Sequence, residues 1–117
     1  MLWQKPAMTT IYKILSADDW REAERSGRYR GSPDDKRDGF IHFSTDEQTL
    51  GTYEKYFSGK PGLMLAAIDA DALGTALKWE PSRGGALFPH LYGELPLSAV
   101  RWSRVLASIE DVKQLKP

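Results

Sequence analysis

Two histidines, with a serine and a glutamate near them in type if not in sequence, are the residues that could carry chemistry in this chain. His42 lies between Ile41 and Phe43, and His90 follows Phe88-Pro89, so both imidazoles sit in apolar, strand-like runs. Imidazole exchanges protons near neutral pH, which makes each ring a candidate acid or base. The structural alternative is a partly buried ring that only satisfies a backbone hydrogen bond. Strand alternation puts Ser44 on the same face as His42, and Tyr92 on the same face as His90. A His–Tyr pair of that kind could stack on and hydrogen-bond a base or sugar, or could be an edge strand and nothing more. Ser44 also stands where a helix is expected to begin, with Thr45 and Gln48 in its first turn. The free N–H groups at such an end suit an anion. With Glu80 the histidines would make a two-His, one-carboxylate set, but no metal-ligand spacing supports one. Ser44 likewise lacks the sharp nucleophile turn of a serine hydrolase.

These residues have to be positioned by short elements. Thr10–Leu15 alternates β-branched and aromatic residues and predicts a strand. Ser16 caps a helix that turns Trp20 and Ala23 to the core and stops at Gly27. Residues 29–39 are polar and rich in turn formers, which predicts an exposed loop. Phe40–Phe43 is a short buried strand or its end. Ser44 and Thr45, followed three positions on by Glu47 and Gln48, form a doubled capping-box pattern. Leu50, Tyr53, Tyr56 and Phe57 give that helix its apolar stripe, and Ser58-Gly59 ends it. Leu63–Ile68 is a continuous apolar run, as a central strand buried on both faces requires. A short turn over Asp69–Leu73, strands at Ala76–Glu80, Phe88–Tyr92 and Val100–Leu106, and a short last helix from Ser108 through Leu115 complete the chain. Pro89 confines its strand to an edge or a bulge. Gly84-Gly85 before it suggests a mobile flap or a close backbone approach. The four tryptophans read mostly as packing residues. The fold class expected is α+β, with five to six strands in a small mixed or antiparallel sheet and two main helices.

Length and composition agree with one domain: 117 residues, 41% apolar and 27% charged, suffice for one core and not two. Residues 1–10 read as a loosely held extension and 11–117 as the domain. Sixteen basic residues balance sixteen acidic ones, which argues against non-specific nucleic-acid binding. No cysteine is present, so disulfides, thiol nucleophiles and Cys-based metal sites are excluded. No run approaches the roughly 20 apolar residues of a membrane span, nor has the opening a signal-peptide core, so the compartment expected is the cytoplasm.

The segments Ile11–Ile14, Trp20 with Ala23, Gly39-Phe-Ile-His-Phe-Ser-Thr45 with Gln48, Phe88-Pro-His-Leu-Tyr-Gly93 and Ala99-Val100 together resemble the bacterial domain-of-unknown-function family numbered 952. The resemblance runs from about Ile11 to about Leu106. It implies a fold similar to the ADP-ribosyltransferases, and the order of elements also resembles the RNA 2′-phosphotransferases. In those enzymes a first-strand motif, a helix ending at glycine, a loop arginine and a Val-His-Leu-Ser strand end follow one another. Ile11-Tyr12-Lys13, Gly27, Arg37 and Ile41-His42-Phe43-Ser44 match them here, and Ile68-Asp69 closes the apolar run. Lys13 stands where those enzymes have a histidine, and Arg37 is offset by one residue.

The resemblance implies a small-molecule partner, a nucleotide or ADP-ribose-like ligand, with NAD as the cofactor. Lys13 and Arg37 would then neutralise phosphate, Ser44, Thr45 and Gln48 would hold an anion, and Tyr92 would meet a base or sugar. His42 and His90 would orient ribose or act as acid and base. Glu80, with Glu94 as the spare, would stabilise positive charge on ribose as a glycosidic bond weakens. The competing expectation is a non-catalytic module, binding a metabolite or a protein, that has kept the fold and lost the chemistry.

Overall fold

The structure is a computed structural model and describes residues 9–115. It is α+β, with antiparallel sheets and short helices. Strand β1 (Thr10–Ser16) leads into helix α1 (Ala17–Ser26), and β2 (Arg28–Tyr29) precedes helix α2 (Pro33–Asp38). Strand β3 (Ile41–His42) is followed by α3 (Asp46–Thr52), which runs on as one π-helical segment over Tyr53–Phe57. Then come β4 (Leu63–Asp69), β5 (Leu77–Pro81), β6 (Leu87–Leu91), β7 (Leu95–Pro96), β8 (Val100–Leu106) and the one-turn α4 (Glu110–Lys113), with 3-10 turns between several of them.

Among the described residues three antiparallel sheets result, ordered β1-β4-β8, β2-β7 and β3-β6-β5. β4 is central, as its unbroken apolar run predicts: Leu65, Ala67 and Ile68 are wholly buried. Each large aliphatic side chain so covered contributes about 1.5–3 kcal/mol. Helix α1 forms as expected. The Ser16 hydroxyl accepts the Asp19 N–H at 3.0 Å, Trp20 and Ala23 are buried, and Gly27 closes the helix at φ 86°.

The sheets meet at one junction. Phe43 N–H still bonds Pro89 O, at 3.0 Å, and the next residue leaves for β1 through Ser44 N–H to Tyr12 O and Tyr12 N–H to Ser44 O, at 2.9 and 2.8 Å. Side chains from both sheets therefore face one another where the sheets part.

Several expectations need correction. Among the described residues eight strands form rather than five or six, because β2 and β7 pair in two-residue segments that no sequence pattern marks. The exposed loop expected over 29–39 is largely helix α2, held by a capping box between Ser32 and Asp35. β6 is the middle strand of its sheet despite Pro89. The Pro89 carbonyl faces the end of β3, and in an antiparallel ladder its ring nitrogen faces the same way. The one ladder bond it cannot give falls opposite Phe43, at the last pair before the chain turns toward β1 at Ser44. Trp79 and Trp102 are 42% and 37% exposed, not packed away. The last helix stops at Lys113, short of Leu115. Thr10, assigned to the N-terminal extension, pairs with Asp69 in β1; the rest of that extension up to Met8, Trp3 included, lies outside the described residues. No helix among the described residues is long and apolar enough to cross a membrane.

Candidate functional site

The site is built around a buried carboxylate. Gly31, at φ 109°, takes a conformation that favours glycine, and a Cβ there would lie 2.9 Å from Cβ of Asp35. This tight turn lets Ser32 cap α2 and tips Asp35 inward, where it is 2% exposed. Its Oδ2 accepts from Ser32 N–H and from Lys13 Nζ, both at 2.9 Å. Its Oδ1 accepts from Lys13 Nζ at 3.1 Å and from the His42 N–H at 3.1 Å, and lies 2.5 Å from His42 Nδ1. Burial opposes ionisation of Asp35. The His42 hydrogen bond and the Lys13 charge outweigh it and hold the carboxyl well below the usual carboxylate range. Burial likewise lowers the Lys13 amine from its ordinary value, and Asp35 offsets only part of that.

The other ring nitrogen of His42, Nε2, meets Oδ2 of Asp38 at 2.9 Å. Across from it, His90 Nδ1 lies 2.8 Å from Glu80 Oε1, which also accepts the Tyr92 hydroxyl at 2.8 Å. These two bonds, that from His90 foremost, lower the Glu80 pKa, and the Tyr92 phenol is raised in turn by the same carboxylate. The pairing of Lys78 with His90 and Glu80 with Phe88 in the β5–β6 ladder puts these side chains on one face. Phe40 fills the space between the two imidazoles. Its ring stacks on His90 at 4.0 Å and 27°, lies 4.7 Å from His42 and 5.3 Å from Tyr92. The centroids of His42 and His90 are 5.6 Å apart, edge to face.

Both histidines line a cleft of about 170 Å³ at the junction of the sheets. Its lining combines the charged Lys13, Asp34, Asp35, Arg37 and Asp38 with the aromatic Tyr12, Phe43, Tyr56, Phe57 and Phe88 and the hydroxyls of Ser44, Thr49 and Thr52. Lys13, Arg37, His42, Ser44 and His90 thus line one cleft. Glu80 and Tyr92 stand behind His90 rather than on the cleft wall. Thr45 and Gln48 do not line it either. Their side chains close the α3 capping box, and Gln48 Nε2 also donates to Leu87 O at 2.7 Å. The N-cap is Thr45 alone: Ser44 Oγ instead pairs with Thr52 Oγ1 at 2.9 Å. Glu94, the spare carboxylate, lies in a separate surface cluster with Arg28 and Arg30. Sequence reasoning missed Asp35, Asp38 and Phe40. Ser32-Pro33-Asp34-Asp35 carried a signal, a capping residue followed by proline and an acid three positions on.

Among the described residues no group of three His, Cys, Asp or Glu side chains could hold a metal ion. Residues 14–103 match the family described as protein of unknown function DUF952. The crystal structure of protein CC0527 from Caulobacter crescentus is similar, with a TM-score of 0.85 and 45% identity over 92% of this chain and all of that one. Its solution NMR structure matches at a TM-score of 0.77 and 51% identity over 86% of each chain. None of the curated proteins compared matches this chain.

Proposed function

Since the chain belongs to the family described as protein of unknown function DUF952, its chemistry rests on the cleft, and we propose that the cleft binds a nucleotide or ADP-ribose-like ligand, NAD among them, and acts on its ribose. One observation carries this reading: two histidines from different strands, each tied to a carboxylate, converge 5.6 Å apart on one cleft. Glu80 holds Nδ1 of His90, which leaves Nε2 as the ring nitrogen to exchange a proton with a ligand. Glu80 therefore acts as a positioning residue, a change from the direct contact with ribose that the resemblance implies. Positive charge developing on a ribose ring would instead meet Asp35, which does line the cleft. The aromatic lining suits a planar base, and the Arg37 guanidinium, 68% exposed, suits phosphate. The order of motifs shared with the ADP-ribosyltransferases and RNA 2′-phosphotransferases supports the same ligand class.

A titration of backbone amides with NAD, ADP-ribose and ADP tests the reading. Shifts are expected at His42, Ser44, Phe88 and His90, with weaker binding in His42→Ala. No shift at millimolar ligand leaves any affinity below about 4 kcal/mol and removes the proposal.

A second reading has its own observation. Lys13 and Ser44, the ligand contacts implied by the resemblance, are engaged by Asp35 and Thr52. A module that binds without turnover would show this commitment of polar groups, and it would leave bound NAD intact over hours where an enzyme releases nicotinamide.

A further inference from the structure

Asp38 is the one carboxylate of the cleft whose position its own element does not explain. It is the last residue of α2, where the free carbonyls make a negative charge unfavourable. Its Oδ2 sits 2.9 Å from Nε2 of His42, and its Oδ1 accepts from Nε of Arg37 at 3.3 Å. Asp35, on the other nitrogen of the same ring, is buried and held from three residues. The Asp38 side chain is 35% exposed and tied only to groups that themselves face solvent, His42 at 36% and Arg37 at 68%. Thus one side of the His42 ring is fixed and the other is closed by a contact that exchanges easily, since exposed ion pairs hold by only about 0.2–1 kcal/mol.

We infer that Asp38 keeps the place of an anionic group of the ligand: a phosphate oxygen displaces its carboxylate from Nε2 of His42, and Arg37, freed from Asp38, closes on the same phosphate. The inference rests on the nucleotide reading above. It adds which part of the ligand His42 meets and which residue competes for that position. The diphosphate of such a ligand is the stronger acceptor as a unit, with two negative charges and four free oxygens against one charge and two oxygens for the carboxylate. The planar guanidinium of Arg37 can take two of those oxygens at once. Arg37 keeps Asp34 as a partner, at 2.9 Å, so it stays at the cleft mouth when Asp38 lets go. Asp38 acts as a selector too, because a ligand without an anionic group gains nothing by moving it.

The test uses Asp38→Asn, which keeps the shape of the side chain, removes its charge and relieves the end of α2. ADP-ribose and adenosine are titrated into the parent protein, into this variant and into Asp18→Asn, which removes an exposed charge from α1 outside the cleft. ADP-ribose is expected to bind Asp38→Asn roughly two- to fivefold tighter than the parent, the scale of one partly exposed charge contact. Asp18→Asn should gain much less, and adenosine should bind all three alike. Equal or weaker binding of ADP-ribose by Asp38→Asn overturns the inference and leaves Asp38 as an orienting residue for His42. Equal gains in both variants, or an equal gain for adenosine, overturn it as well, since the effect would then be general charge or shape. If the parent and Asp38→Asn both fail to bind ADP-ribose at millimolar concentration, the nucleotide reading itself is lost and the inference with it.

Discussion

Asp35 gathers hydrogen bonds from Lys13, Ser32 and His42, and so joins three segments that are far apart in the chain. Taking one member of a buried ion pair away costs about 3–5 kcal/mol, because the other charge stays buried without its counterion. Asp35→Asn should therefore lower unfolding free energy by an amount in that range at pH 7, read from urea unfolding. The pH dependence follows from the same pair. The Asp35 pKa is depressed in the folded state, so its stabilisation is complete above the ordinary carboxylate value of about 3.9. It is lost as pH falls from there toward the depressed folded value. The parent should lose stability on acidification through this window, and Asp35→Asn should lose markedly less. Parallel acid profiles for the two proteins would show that Lys13 and His42 do not depend on this carboxylate. At this scale the histidines were legible in the sequence, since imidazoles are unusual within apolar strands. Asp35, Asp38 and Phe40 were not. Each matters only through contacts that form after α2 and β3 have folded against β1 and β6.

At the scale of elements, α1 and α2 show why one helix could be read and the other could not. The first has a serine cap, two core-facing residues three apart and a closing glycine, all local. The second turns only Asp35 inward, so it has no apolar stripe to recognise, and its polar composition looks like a loop. Its glycines separate two kinds of constraint. Gly39 closes α2 at φ 88° with open space where a Cβ would be, so Gly39→Ala should cost about 1 kcal/mol from backbone conformation alone. Gly31 has the same conformational demand and a Cβ contact of 2.9 Å to Asp35 besides. Gly31→Ala should cost more than Gly39→Ala in thermal unfolding. It should also shift the amide resonances of Ser32 and His42, both of which bond Asp35. Equal losses, with those resonances unmoved, would mean that α2 shifts as a body without disturbing its carboxylate.

The molecule as a whole is divided unevenly between its two three-stranded sheets. β4 has both faces covered, by one cluster with Trp20, Ile41 and Leu91 and by another with Tyr53, Leu106 and Val112. β5, at the edge of the other sheet, has no fully buried residue. The two sheets share backbone bonds only at the Tyr12–Ser44 bridge among the described strands. Such an arrangement should open in steps, because local stability follows burial and the shielding of backbone hydrogen bonds. Amide hydrogen exchange is expected to be slowest at Leu65, Ala66 and Ala67 and distinctly faster across β5. β3 and β6 should fall between, since Ile41 and Leu91 reach into the shared core while His42 and Phe88 face the cleft. The cleft is thus lined from both sheets, from the stable one by Tyr12, Lys13 and Ile14 and from the other by His42, Phe88 and His90. Asp35 ties the two sheets across it, since it bonds Lys13 of the first and His42 of the second. Uniform exchange over β4 and β5 would mean that the sheets unfold as a unit.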